Sequence, residues 1–216
     1  GPRSTARASK RNWGKSDMAM TITYKVKNGI YVNMTNRCPC ACTFCLRQNA
    51  PGVYGSDPLW LDREPTVEEV EQSLSKWDLS SMDEVVFCGY AERLKDLLEV
   101  AAWLKKNYTV KTRINTNGLA DLIWGTDTAP WLEGKIDAVS VSLNAIDAEE
   151  FLRLTRSKFG IGSYDAMLKF TQNCTKYVPH VMMTVVDQVT TPEEQESARK
   201  ICEKLGATLR VRAYES

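Results

Sequence analysis

From residue 20 onward, short β-branched runs alternate with amphipathic helical stretches six times, at intervals of roughly 30 residues. This alternation restricts the fold more than any other feature. The strand-like stretches are 29–34 (GIYVNM), 83–89 (DEVVFCG), 109–118 (TVKTRINTNG), 136–145 (IDAVSVSLNA), 180–187 (HVMMTVVD) and 207–214 (ATLRVRAY). Between them, Thr66 and Glu69 form a capping box, and Val67, Val70, Leu74 and Trp77 share one helical face. Leu94, Leu97, Leu98, Ala101 and Leu104 recur at core spacing in the next helix. Helices are also expected over 147–155 and 164–177. The last helix starts at Thr191, Pro192 and Glu194, buries Ala198, Ile201, Cys202 and Leu205, and stops at Gly206.

Strands joined by helical crossovers pair in parallel, because such crossovers are right-handed. The fold class is therefore α/β, with the sheet either open and doubly wound or curled into a barrel. Strand four alternates Val139, Val141 and Leu143 with Ser140, Ser142 and Asn144; strand three alternates Val110, Thr112 and Ile114 with Lys111, Arg113 and Asn115. Strands covered by helices on both faces are apolar throughout. A polar row on one face favours a curled sheet with a hydrated or ligand-filled interior, although edge strands show polar rows too.

A chain of 216 residues suits one such domain, expected over 18–216. Residues 1–17 carry Arg3, Arg7, Lys10, Arg11 and Lys15 without apolar periodicity, and read as a disordered basic leader or tag remnant. The formal net charge of +1 argues against nucleic acid as a partner. No apolar run approaches the ~20 residues of a membrane span, and no signal-like segment precedes the first strand, so a cytoplasmic location is expected.

In that setting, cysteines serve metals or catalysis more often than disulfides. Four of the seven lie in "CPCACTFC", with Cys38, Cys42 and Cys45 spaced C-x3-C-x2-C and Cys40 between them. Structural zinc needs four ligands, usually as two separated pairs, and the single histidine, His180, lies on an expected strand. A C-x2-C redox pair would leave Cys38 idle. The remaining reading is a [4Fe–4S] cluster on three thiolates, with one iron open to a substrate or cofactor. Cys40 is expected to point away from the cube, as a bystander.

This spacing, following the first strand and with the aromatic Phe44 before the last cysteine, resembles the radical S-adenosylmethionine (SAM) superfamily. The resemblance implies a partial (β/α)6 barrel, a [4Fe–4S] cluster on Cys38, Cys42 and Cys45, and SAM on the open iron. It implies reductive cleavage of SAM to a 5′-deoxyadenosyl radical that takes a hydrogen atom from a substrate, with the electron coming from a donor such as flavodoxin or ferredoxin. The family's Gly-Gly-Glu-type turn, which receives the SAM amino group, corresponds to Gly89, Tyr90, Ala91 and Glu92. Here Ala91 replaces a glycine, Arg93 replaces a proline, and the turn is shortened. Ser142 and Asn144 match positions that bind the SAM ribose and carboxylate, and Asn117 matches a contact to cofactor or substrate.

Arg113, Asp187, Arg210 and Arg212 are candidate substrate contacts, with ion pairs and loop caps as the ordinary alternatives. At finer grain, "YVNMTNRCPCACTFCLRQ", "VVFCGY", "INTNGLADLI", "VSLNA" and "LRVRAY" resemble the small TatD-associated radical SAM proteins. That likeness implies a small-molecule substrate, with a 7-deazapurine such as queuine, cleaved in a lyase-type salvage reaction, as one choice. A radical SAM enzyme modifying tRNA or a peptide, and a non-catalytic iron–sulfur or zinc module, stand as alternatives.

Overall fold

The structure, a computed structural model, describes residues 20–42, 59–88 and 91–213. The expected leader, 1–17, lies outside them. The described chain forms one seven-stranded sheet in the order β1(Thr23–Val26), β2(Gly29–Asn33), β3(Glu84–Cys88), β4(Lys111–Thr116), β5(Ala138–Ser142), β6(His180–Val186) and β7(Thr208–Arg212). β1 pairs antiparallel with β2, and every later pair is parallel. The helices among the described residues are α1(Val67–Ser75), α2(Leu94–Asn107), α3(Ala120–Trp124), α4(Ala148–Thr155), α5(Ser163–Cys174) and α6(Pro192–Leu205).

Strands β2 to β7 run across the sheet in chain order, without the reversal that defines a doubly wound sheet. Right-handed crossovers then put every helix on the same face. One face is helix-covered and the other is an interior, which is the partial barrel expected. Register rows show the division. Val32, Phe87, Ile114, Val139 and Val181 align across β2 to β6, apolar and buried. One residue further on, Asn33, Cys88, Asn115, Ser140, Met182 and Thr208 align on the opposite face.

Local signals account for the element ends. Thr66 and Thr191 accept hydrogen bonds from the Glu69 and Glu194 amides, and both glutamates return the bond, so both capping boxes close. α6 ends at Gly206 with φ 83°. The turn after β4 needs a glycine for two reasons. Gly118 has φ 80°, and a Cβ there would come within 2.7 Å of Met167 Cγ on α5.

The sheet has one strand more than the sequence reading. β1 precedes the first expected strand and turns into β2 at Lys27 (φ 52°) and Asn28. The short helix α3 was likewise not expected. No helix among the described residues is long and apolar enough to cross a membrane.

Candidate functional site

The C-terminal ends of parallel strands gather the loops that carry chemistry in barrels and open α/β sheets. Here the cysteine loop leaves β2, the Ala91–Arg93 turn follows β3, Asn117 follows β4, and Asn144 follows β5.

The cysteine loop is docked on both sides. Its backbone is tied to the end of α4: the Ala41 amide donates to Thr155 O (2.8 Å) and the Lys158 amide donates to Pro39 O (2.9 Å). At its base, Glu64 accepts from the Thr35 hydroxyl (2.7 Å) and from Arg37 Nε and Nη2 (2.6 and 3.0 Å). Partial burial works against ionisation of Glu64. The Arg37 and Thr35 hydrogen bonds, with the Arg37 and Arg93 charges, outweigh it and hold the carboxyl below its ordinary range.

Arg93, in the place of the family's proline, is 8% exposed and joins three segments. Its Nη1 donates to Met34 O (2.9 Å) and Pro65 O (2.5 Å), and its Nε and Nη2 donate to Asp96 (3.0 and 2.9 Å). From the other side, Trp124 Nε1 donates to Ala91 O (2.6 Å), and Lys95 lies over the rings of Trp124 and Trp131. Ala91 itself begins a 3-10 turn, and its φ is not positive. The turn therefore does not need the missing glycine at that position. Arg93 and Trp124 hold what a rigid proline would otherwise pre-set.

Glu92, in the middle of this turn, is half-buried. Burial pushes its carboxyl up, while its own backbone amide and the charges of Arg37 and Lys158 pull it down less strongly. It stands close enough to Cys38 for its charge to disfavour the thiolate there. A half-buried carboxylate beside the thiols is suited to a cationic ligand group.

The thiols of Cys38 and Cys42 both hydrogen-bond that of Cys40. Hydrogen bonding within this trio lowers the Cys38 and Cys42 thiols and raises that of Cys40. This corrects the expectation that Cys40 points away. The bonds from the Ala41 amide to Thr155 O and from the Lys158 amide to Pro39 O hold this stretch of loop against the end of α4. Cys45 and Phe44 lie outside the described residues, as do Gly89 and Tyr90. Among the described residues no three His, Cys, Asp or Glu side chains complete a metal site. The donor set still fits a thiolate-held cluster, because two of the three spaced cysteines share one mouth and the third follows three residues later.

Asn117 and Asn144 follow the C-terminal ends of the neighbouring strands β4 and β5. Asn117 Nδ2 lies 3.7 Å from Cys38 Sγ and 3.8 Å from Cys40 Sγ. Asn144 is 4% exposed, has φ 54°, and leaves its Oδ1 buried without a partner. Left-handed backbone at a non-glycine residue and an orphaned acceptor each cost on the order of 1–3 kcal/mol. A site that carries both is suited to a ligand with donors, as the SAM contact expected at Asn144 requires. Ser142 is half-buried and aligns with Thr184 and Arg210 across β5 to β7.

The candidate substrate contacts are not gathered at the mouth. Arg113 lies early on β4, paired with Glu84 (3.0 Å), the first residue of β3, and with the Tyr31 hydroxyl (3.2 Å); its Nε is buried without a partner. Arg210 and Arg212 are exposed on the edge strand β7, and the exposed Asp187 donates its amide to Arg212 O (2.9 Å). The sequence reading did not single out Asn115 as a site residue. It lies on the interior row with Oδ1 unpartnered and Nδ2 3.8 Å from Cys88 Sγ. Its signal was the period-two polar row itself.

Comparisons with known proteins agree with this arrangement. The radical SAM superfamily profile matches residues 32–201. A GTP 3′,8-cyclase from Edwardsiella ictaluri (strain 93-146) is 25% identical over 126 residues, 57% of this chain and 36% of the relative. A second GTP 3′,8-cyclase, from Pasteurella multocida (strain Pm70), is 26% identical over 140 residues, 64% of this chain and 38% of the relative. The chain thus spans little more than a third of the curated relatives it matches. Among solved structures, Streptococcus suis SuiB bound to S-adenosylmethionine superposes with TM-score 0.64 at 17% identity, covering 86% of this chain and 40% of that one. Methylornithine synthase (PylB) gives 0.62 at 13% identity, covering 87% and 53%. With the profile spanning most of the chain and the cysteine loop at the mouth of a partial barrel, the protein belongs to the radical SAM superfamily, whose members use a [4Fe–4S] cluster and SAM.

Proposed function

We propose that this chain is a catalytic radical SAM domain that removes a hydrogen atom from a small polar molecule in the barrel interior. One observation supports the reading: Cys38 and Cys42, the half-buried Glu92 carboxylate and the orphaned Asn144 acceptor all follow the C-terminal ends of parallel strands. Cys38, Cys42 and Cys45 would hold the cluster. Glu92 would receive the SAM amino group, and Asn144 and Ser142 the ribose and carboxylate. When bound, cluster and SAM supply the electron transfer and the carbon radical that abstracts hydrogen. The protein's own part is to orient these groups and keep water away from them.

The substrate class proposed is a 7-deazapurine such as queuine, in a lyase-type reaction. The purine named in both curated relatives supports a heteroaromatic base. So does the unpartnered Asn115 Oδ1 on the interior face, an acceptor for a ring N–H. A low-potential donor such as flavodoxin or ferredoxin would supply the electron. The test is anaerobic turnover with ring- or side-chain-deuterated candidate bases. Deuterium appearing in 5′-deoxyadenosine identifies the substrate class; production of 5′-deoxyadenosine without transfer from any purine-type base would reject it.

A further inference from the structure

We propose that Asn117 is a positioning residue for the cluster's electronics: its amide N–H donates to the Cys38 thiolate and raises the cluster's reduction potential. This rests on the cluster reading above, and not on any substrate. The geometry fixes which end of the amide faces the sulfurs. Oδ1 accepts the Leu119 amide at 3.1 Å, the bond that turns the chain into α3. A flipped side chain would set NH₂ against that N–H and oxygen against two sulfurs, so the flip is excluded by its own partners. Nδ2 then stands 3.7 Å from Cys38 Sγ and 3.8 Å from Cys40 Sγ, one hydrogen for each.

The turn that carries Asn117 has little freedom to move. The Gly118 amide donates to Thr116 Oγ1 at 2.9 Å, and Gly118 packs against Met167 where no side chain fits. The amide is thus held by the scaffold and does not depend on the sulfurs for its orientation. Hydrogen bonds to cluster sulfurs are one of the protein's levers on reduction potential. Reduction adds one electron from the external donor to the cluster and moves no proton at Asn117. The added negative charge on iron and sulfur strengthens the N–H···S bond, so the donor favours the reduced form. The Cys40 thiol shares the same amide, which ties it to this electrostatic setting without making it a ligand.

The test is a redox titration of anaerobically reconstituted full chain, followed by electron paramagnetic resonance, without SAM or substrate. Asn117→Ser keeps an oxygen for the Leu119 amide, as Thr116 does for Gly118, and removes the N–H. Asn117→Asp also keeps the acceptor and adds a charge. The expected result is unchanged iron and sulfide content, with the reduced-to-oxidised ratio at the wild-type midpoint lowered about fivefold in Asn117→Ser and further in Asn117→Asp. An Asn117→Ser protein that titrates like wild type overturns the proposal. So does loss of the cluster from both variants, because the amide would then build the site and not tune it. A wild-type chain that holds no reducible cluster overturns the reading beneath it, and that failure is visible before any variant is made.

Discussion

The two faces of the sheet are built from alternate residues of the same strands, yet they follow opposite rules. On the helix side, Phe87, Ile114, Val139, Val141 and Met183 are at most 1% exposed and wholly apolar. On the interior side, Asn33, Arg113, Asn115 and, just past β5, Asn144 are polar, and each leaves an atom without a partner. Buried polar atoms are ordinarily satisfied, so four orphans on one face are not a packing solution. The helix side holds the fold together. The interior gives up stability at positions where a ligand would restore it.

Substitutions on the two faces should separate along that line. The largest effect on stability is expected on the helix side: Phe87→Ala should cost about 4 kcal/mol of unfolding free energy by denaturant titration. A cost below about 1 kcal/mol would mean that the outer row is not the core. On the interior side, Asn144→Gly relieves a left-handed backbone and removes an orphaned acceptor. Ligand-free stability should rise by about 1 kcal/mol or more, while SAM affinity falls about tenfold by equilibrium binding. Equal losses of both would erase the contrast.

The smallest effect concerns Glu92, whose carboxyl burial raises. A raised folded-state value means that the contribution is fully present below the ordinary carboxylate range and is lost as pH rises through the raised value. Glu92→Gln should therefore match wild type at acidic pH and unfold at a higher temperature than ligand-free wild type near neutrality. A difference that stays constant across that window would show that burial is not what shifts the carboxyl. In the same variant, SAM binding should weaken.

The sequence was informative where local chemistry decides the outcome. Six parallel strands, the Thr66–Glu69 capping box, the helix start at Thr191 and the Gly206 stop follow from periodicity and caps, and all stand as expected. β1 was missed because four residues are too short a run to show a pattern, although three of them favour strands and Asn28-Gly29 is a turn signal. Cys40 was misjudged by reasoning on spacing alone, which says nothing of how the Ala41 and Lys158 backbone bonds hold the loop against the end of α4. What sequence could not supply is tertiary. Nothing local says that Arg93 reaches Met34 O and Pro65 O, or that Trp124 caps Ala91. Those contacts answer how a turn without its glycine and proline still presents a carboxylate beside the thiols.

The central claim is that three spaced cysteines leave a vacancy that SAM fills at this mouth. The most direct measurement is anaerobic reconstitution with iron and sulfide, followed by reduction with and without SAM. The account predicts about four irons and four sulfides per chain. It also predicts a SAM-dependent change in the reduced spectrum and release of 5′-deoxyadenosine, all lost in Cys42→Ala. Stoichiometric zinc in place of iron, or a cluster indifferent to SAM, would contradict it.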